Sequence, residues 1–104
     1  MFRQPGTSSG LIAVTTGAQV VPAGANDVSS GVLLHVECIA GSAAGTVTVY
    51  DGTSTSGLAL VDLIGVPIGT TQIANLSQGV VFDKGLYIVV SGTATQAILH
   101  YTKN

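Results

Sequence analysis

The sequence predicts an all-β protein, an antiparallel β-sandwich of about eight strands that is jelly-roll-like. β-branched residues cluster in short runs, and turn residues separate these runs at fairly regular intervals. The 14 glycines are spaced so that no segment shows the apolar periodicity of a helix. An immunoglobulin-like sandwich is the topological alternative, although the chain lacks the Trp and the Cys pair that mark immunoglobulin domains.

The first half of the chain supplies four predicted strands, at residues 11–15, 18–21, 31–39 and 46–50. Turn residues near Pro22 and Gly24 end the second of them, and small residues at 41–45 separate the third from the fourth. The loop at 51–57 is the most obvious in the chain, because it contains only Asp, Gly, Ser and Thr.

The second half supplies predicted strands at residues 58–64, 71–76, 80–82, 86–90 and 96–102. Pro67 and Gly69 mark one turn between them. The segment 83–85 predicts a tight turn in which Gly85 has a left-handed conformation.

The strand at 31–39 is the best defined, and its side chains alternate between two faces. One face is uniformly apolar and is predicted to point to the core: Val32, Leu34, Val36 and Cys38. The other face is mixed and is predicted to meet solvent or a partner: Leu33, His35, Glu37 and Ile39.

The length of 104 residues predicts one domain. Residues 11–104 form that domain, and residues 1–10 are expected to be a flexible N-terminal arm, because they contain Pro, Gly, Ser and Thr with little to bury. If the arm orders on a neighbouring subunit, its contact residues are Phe2, Arg3, Gln4 and Pro5.

Charge is unusually scarce, at 8% of residues against about 25% in an average protein. Only Arg3, Lys84 and Lys103 are basic, and they are scattered, so the chain has no footprint for nucleic acid. Soluble monomers use charged side chains to stop exposed strand edges from pairing. A chain with so few is expected to cover its edges with partner subunits, as a homo-oligomer or in a larger assembly.

The apolar runs are too short for a membrane helix, which needs about 20 residues. The N-terminal residues contain no apolar core of a signal peptide, and the single cysteine cannot form an internal disulfide. We therefore expect synthesis in the cytoplasm and no membrane partner.

Few residues offer chemistry. His35 and Glu37 share a strand face, and His100 could complete a three-ligand zinc site. Polar residues two apart are ordinary on an exposed sheet face, so we predict no metal site and no cofactor. Cys38 could pair with a histidine as a nucleophile, but its apolar strand face predicts a buried, structural cysteine. We predict no catalytic residue and no enzyme.

Three further features have competing interpretations. Asp62 interrupts an apolar run, and it is either a carboxyl group with a raised pKa or, as we favour, an edge charge that prevents wrong strand pairing. The Asp51-Gly52 pair lacks the other acidic positions of a calcium loop and predicts a turn. The third feature is the set of three tyrosines, which could form a sugar-stacking face or, as we favour, pack at sheet surfaces or subunit contacts: Tyr50, Tyr87 and Tyr101.

Two segments carry a resemblance to a known group of proteins. Residues 43–57 contain a strand that ends in the turn Tyr50-Asp51-Gly52, and residues 79–92 contain a hairpin from Phe82 to Gly85-Leu86-Tyr87. They resemble small β-sandwich proteins of tailed-bacteriophage virions, of the head decoration (cement) type. The similarity covers residues 31–101, which is most of the domain.

The resemblance implies a virion structural protein that stabilises the head by binding major-capsid subunits, commonly as a trimer, and it brings no active-site residues. Another virion component is the first alternative: a tail, fibre, baseplate or head–tail junction subunit. A carbohydrate- or receptor-binding sandwich is the second. The third is a small cupin-like metal enzyme that uses His35, Glu37 and His100.

Overall fold

The structure is a computed structural model that describes residues 7–22, 24 and 27–103. Its strands are β1 (Thr7–Ser8), β2 (Thr15–Val21), β3 (Gly31–Ile39), β4 (Gly45–Asp51), β5 (Leu58–Val66), β6 (Thr71–Phe82), β7 (Leu86–Ser91) and β8 (Gln96–Lys103). Within these described ranges no helix has the length and apolar character needed to cross a bilayer.

The strands form two four-stranded antiparallel sheets that pack as a sandwich. Sheet A has the order β1-β8-β3-β6, and sheet B has the order β2-β7-β4-β5. The chain pairs as one long hairpin, with β1 on β8, β2 on β7, β3 on β6 and β4 on β5. Further pairing of β3 with β8 and of β4 with β7 rolls that hairpin into two sheets. This is the strand order of a jelly roll, so the predicted fold is confirmed.

The core lies between the sheets and is filled by the inward side chains of both. Its largest fully buried side chains come from β3, β6, β7 and β8: Leu33, Phe82, Leu86, Ile88 and Leu99. Valines on β4 close the core from sheet B. Burial of these apolar side chains is the main stabilising term for a chain with few charges.

The predicted core face of β3 is wrong in its first half. Leu33 is fully buried, whereas Val32 and Leu34 are only partly buried. The reason is a β-bulge: Leu33 lies opposite Tyr101 of β8, but His35 lies opposite His100, so Leu34 is an extra residue in β3. An extra residue reverses the alternation of side chains. Beyond the bulge the prediction holds, since Val36 and Cys38 are fully buried.

Three predicted strands also differ from the structure. The predicted strand 11–15 is absent: Ile12 makes only an isolated bridge to Ala97, and Thr15 is the first residue of β2. The two predicted segments 71–76 and 80–82 are instead one strand, β6. Gly79 allows this continuity because it lies at the register shift between β3 and β6. Its φ of +78° is a left-handed conformation that glycine adopts more easily than other residues.

Part of the predicted arm is paired with sheet A. Thr7 and Ser8 lie opposite Tyr101 and His100 of β8. The Ser9 N–H donates to the carbonyl of Leu99, and the Leu99 N–H donates to Oγ of Ser9, both at 2.9 Å. Residues 1–6 lie outside the described residues, and for them the arm stays a prediction.

The bulge gives a matched pair of substitutions. We expect Leu33→Ala to cost about 2–5 kcal/mol of unfolding free energy, because it leaves a cavity between the sheets. Leu34→Ala removes a partly exposed side chain and should cost less than half as much. Urea denaturation followed by circular dichroism measures both, and an equal loss would contradict the assigned bulge.

Candidate functional site

The outer face of sheet A brings polar side chains from all four strands into one row. The row follows the order of the strands. Ser8 of β1 lies opposite His100 of β8, His100 lies opposite His35 of β3, and His35 lies opposite Asn75 of β6. In the next row Glu37 lies between two isoleucines, Ile98 and Ile73. The outer face therefore carries a polar centre with apolar neighbours.

The centre of this face is a cluster of His35, Glu37 and His100. Nε2 of His35 lies 3.0 Å from Oε1 of Glu37. The two imidazole rings are 4.8 Å apart between centroids and meet edge to face at 71°. One ligand atom from each residue lies within 4.8 Å of the others. The side chains are half-buried, at 27% exposure for His35 and 24% for Glu37.

Local sequence and long-range pairing both contribute to the cluster. His35 and Glu37 share a face because strand side chains alternate with a period of two. His100 joins them because the bulge at Leu34 sets His35 directly opposite it. Both strands are interior strands of sheet A, so hydrogen bonds on each side hold their backbones.

Two imidazoles and one carboxylate form a donor set found in zinc enzymes, where three protein ligands leave a fourth position open. Strand periodicity placed His35 and Glu37 together, and the sequence named His100 as a possible third ligand without a pairing that would bring it there. The structure brings all three together. The sequence-based prediction of no metal site remains a prediction.

Cys38 does not belong to this cluster. Its side chain is fully buried on the inner face of β3, opposite in direction to His35 and Glu37. Burial raises the pKa of the Cys38 thiol, because a thiolate is poorly solvated there. A nucleophilic role needs the thiolate, so this position suits the predicted structural cysteine.

The three tyrosines do not form one sugar-stacking face. Tyr50 and Tyr87 lie opposite each other on the outer face of sheet B. Tyr101 is 6% exposed and packs in the core. The Tyr87 ring also covers Gly17 of β2, where a Cβ would overlap its phenol group. Tyr50 and Tyr87 are therefore neighbours, but the ring of Tyr87 packs against Gly17.

Asp62 lies where an edge charge is useful. It is exposed on the outer face of β5, an edge strand of sheet B, and its Oδ1 accepts a hydrogen bond from the Thr48 hydroxyl at 3.2 Å. An exposed charge at the edge of a sheet hinders pairing with another strand.

Asp51 holds the turn between β6 and β7. Its Oδ1 accepts hydrogen bonds from the backbone N–H groups of Asp83 at 3.1 Å and Lys84 at 2.8 Å. The Gly52 N–H donates to the carbonyl of Gly85 at 3.1 Å. The two segments that carry the resemblance, 43–57 and 79–92, thus meet at this point. The carboxylate stabilises the turn at 83–85, which is a different turn from the one that the Asp51-Gly52 pair predicted at its own position.

The most exposed apolar side chains of sheet A are on β6, which forms one edge of that sheet. Ile73 is 53% exposed and Val81 is 66% exposed. None of the twelve residues of β6 is charged or is a proline. Sequence reasoning missed this strand as a contact surface, because it divided the strand in two. The four predicted contact residues, Phe2, Arg3, Gln4 and Pro5, lie outside the described residues.

The fold is thus a jelly roll with a histidine–carboxylate cluster and an uncharged edge on the same sheet. No family model matches the chain, and searches of curated proteins and of solved structures find no match either.

The role of Asp51 gives the next prediction. We expect Asp51→Ala to lower the unfolding free energy by about 1–2 kcal/mol, because two backbone N–H groups lose a charged acceptor. Asp62→Ala removes an exposed carboxylate with one hydroxyl donor and should change it by less than about 0.5 kcal/mol. Thermal unfolding of both variants measures the difference, and equal stability would contradict the role of Asp51 in the turn.

Proposed function

We propose that the chain is a structural protein of a tailed-bacteriophage virion, a capsid decoration (cement) protein that binds major-capsid subunits and so stabilises the head. The uncharged β6 edge of sheet A is the observation that carries this proposal. The resemblance of residues 31–101 to such proteins supports it independently. The virion is the proposed location, after synthesis in the host cytoplasm.

An unpaired strand edge offers a row of backbone donors and acceptors to any other strand. Proteins limit this by short edge strands, charges, prolines or covering segments. β1 is only two residues long, and β5 carries the exposed Asp62. β2 is also uncharged, but it has only seven residues and two register shifts, and bulges of this kind protect an edge. β6 is a twelve-residue strand that has neither a charge nor a proline. Coverage by another subunit would satisfy this edge.

The outer face beside that edge fits a protein partner as well. Ile73 exposes apolar surface next to Glu37 of the polar cluster, and Val81 exposes more of it further along β6. Burial of such surface stabilises a subunit contact. Sheet B has the hydrogen-bonded pairs Thr46–Ser91 and Thr48–Asp62, and its edge strand β5 also exposes Leu58 and Ile64. We assign the contact to sheet A because the β6 edge carries no charge, whereas β5 carries Asp62.

The stabilising action follows from mass action. A partner that binds only assembled capsid subunits shifts the equilibrium towards the shell. We expect the chain to act as a homo-oligomer, with a trimer favoured, and to bind neither nucleic acid nor membrane. The proposal assigns it no enzymatic activity. Contacts from Phe2, Arg3, Gln4 and Pro5 would enlarge the interface.

The first test is the solution mass by light scattering over a wide dilution series. We expect three times the chain mass of 10.4 kDa. Val81→Lys should shift the protein towards the monomer, because it places a charge on the β6 edge. Ile64→Lys is the matched control: Ile64 is 71% exposed on the edge strand of sheet B, so this variant should keep the wild-type mass. A monomer in all three samples would contradict self-association through β6.

The second test measures binding of the protein to assembled heads and its effect on their thermal stability. Heads assembled from the major capsid protein of the same phage should carry the wild-type protein through a sucrose gradient and withstand higher temperature than bare heads. Val81→Lys should bind less, and Ile64→Lys should bind normally. Absence of the protein from the head fractions, with co-sedimentation with tails instead, would contradict the cement role and favour a tail component.

A further inference from the structure

We propose that His35, Glu37 and His100 bind one divalent transition-metal ion, with zinc as the reference ion, on the outer face of sheet A. Three protein ligands and an open fourth position would form the site. This inference goes beyond the proposed structural function and does not depend on it. It replaces the sequence-based prediction of no metal site, because the structure brings all three side chains together.

The spacing of the ligand atoms is close to what such a site needs. In a tetrahedral zinc site the metal–ligand bonds are about 2.0–2.2 Å, so ligand atoms lie about 3.3–3.5 Å from one another. Nε2 of His35 and Oε1 of Glu37 are 3.0 Å apart, and one ligand atom from each of the three residues lies within 4.8 Å of the others. A change of side-chain rotamer that brings the His100 ring closer would complete the set.

The backbone that carries the ligands is well held. β3 and β8 are neighbouring interior strands of sheet A, and His35 lies directly opposite His100. Sites on such strands are positioned more precisely than sites on loops. The bulge at Leu34 immediately precedes His35, and bulges are over-represented next to functional sites because they redirect side chains.

The donor atoms select the class of ion. Imidazole nitrogens suit zinc, copper and nickel, whereas calcium and magnesium prefer sites made of oxygen ligands. The Glu37 carboxylate adds one negative charge that offsets part of the charge of the ion. We therefore expect tight binding of Zn²⁺ and little binding of Mg²⁺.

A simple ion pair accounts for less of the arrangement. His35 and Glu37 could form such a pair, and exposed pairs contribute about 0–1 kcal/mol. The pair does not involve His100, whose ring lies edge-on to that of His35. A shared metal ion uses all three residues.

The chain is well suited to a direct test, because it contains only two histidines and both are in the cluster. Protein without a histidine tag is treated with a chelator, dialysed and titrated with Zn²⁺ by calorimetry and with Co²⁺ by visible absorption. We expect one ion per chain and a Co²⁺ spectrum of four-coordinate type.

Three variants locate the site. His100→Gln and Glu37→Gln each remove one ligand from the outer face and should weaken Zn²⁺ binding by more than about tenfold. Asp62→Asn is the matched control, because it removes a carboxylate from the outer face of sheet B, and its Zn²⁺ affinity should equal that of the wild type. Circular dichroism checks the fold of each variant, and two independent ligand variants keep the test valid if one fails to fold.

The inference would be overturned by either of two results. One is the absence of Zn²⁺ binding at millimolar concentration. The other is wild-type affinity in both His100→Gln and Glu37→Gln, which would place the bound ion elsewhere on the protein.

Discussion

The extra residue in β3 is the constraint on which much of this structure depends. β3 is bonded to β6 on one side and to β8 on the other, so any change in its alternation affects the whole of sheet A. Insertion of Leu34 turns Leu33 into the core while Val36 and Cys38 also point inward. The same insertion sets His35 opposite His100. The packing of the core and the grouping of the polar cluster therefore have one common cause.

Both functional proposals concern the outer face of sheet A. On sheet B, two pairs of polar side chains hydrogen-bond to each other, and the edge strand β5 carries Asp62 and also exposes Leu58 and Ile64. The outer face of sheet A combines the His35–Glu37–His100 cluster with exposed apolar side chains and the uncharged edge of β6. A subunit docked on sheet A would lie next to the cluster.

Sequence patterns predicted most strands, because β-branched runs and turn residues are local signals. These patterns failed at the predicted strand 11–15, where Ile12 makes only an isolated bridge to Ala97. They also divided β6, since the polar residues before Gly79 resemble a turn. For the cluster, strand periodicity placed His35 with Glu37, but it contained no information on His100.

The sequence alone determined the all-β class, a jelly-roll-like sandwich of about eight strands, and local turns such as those at Asp51 and Gly85. Composition also determined the scarcity of charge that favours assembly. Only the tertiary structure decided which strands pair, that Leu33 rather than Leu34 is buried, and that His100 reaches His35. The physical reason is that pairing between strands distant in the chain sets the register and accommodates the bulge, and the periodicity of a single strand does not encode its partner.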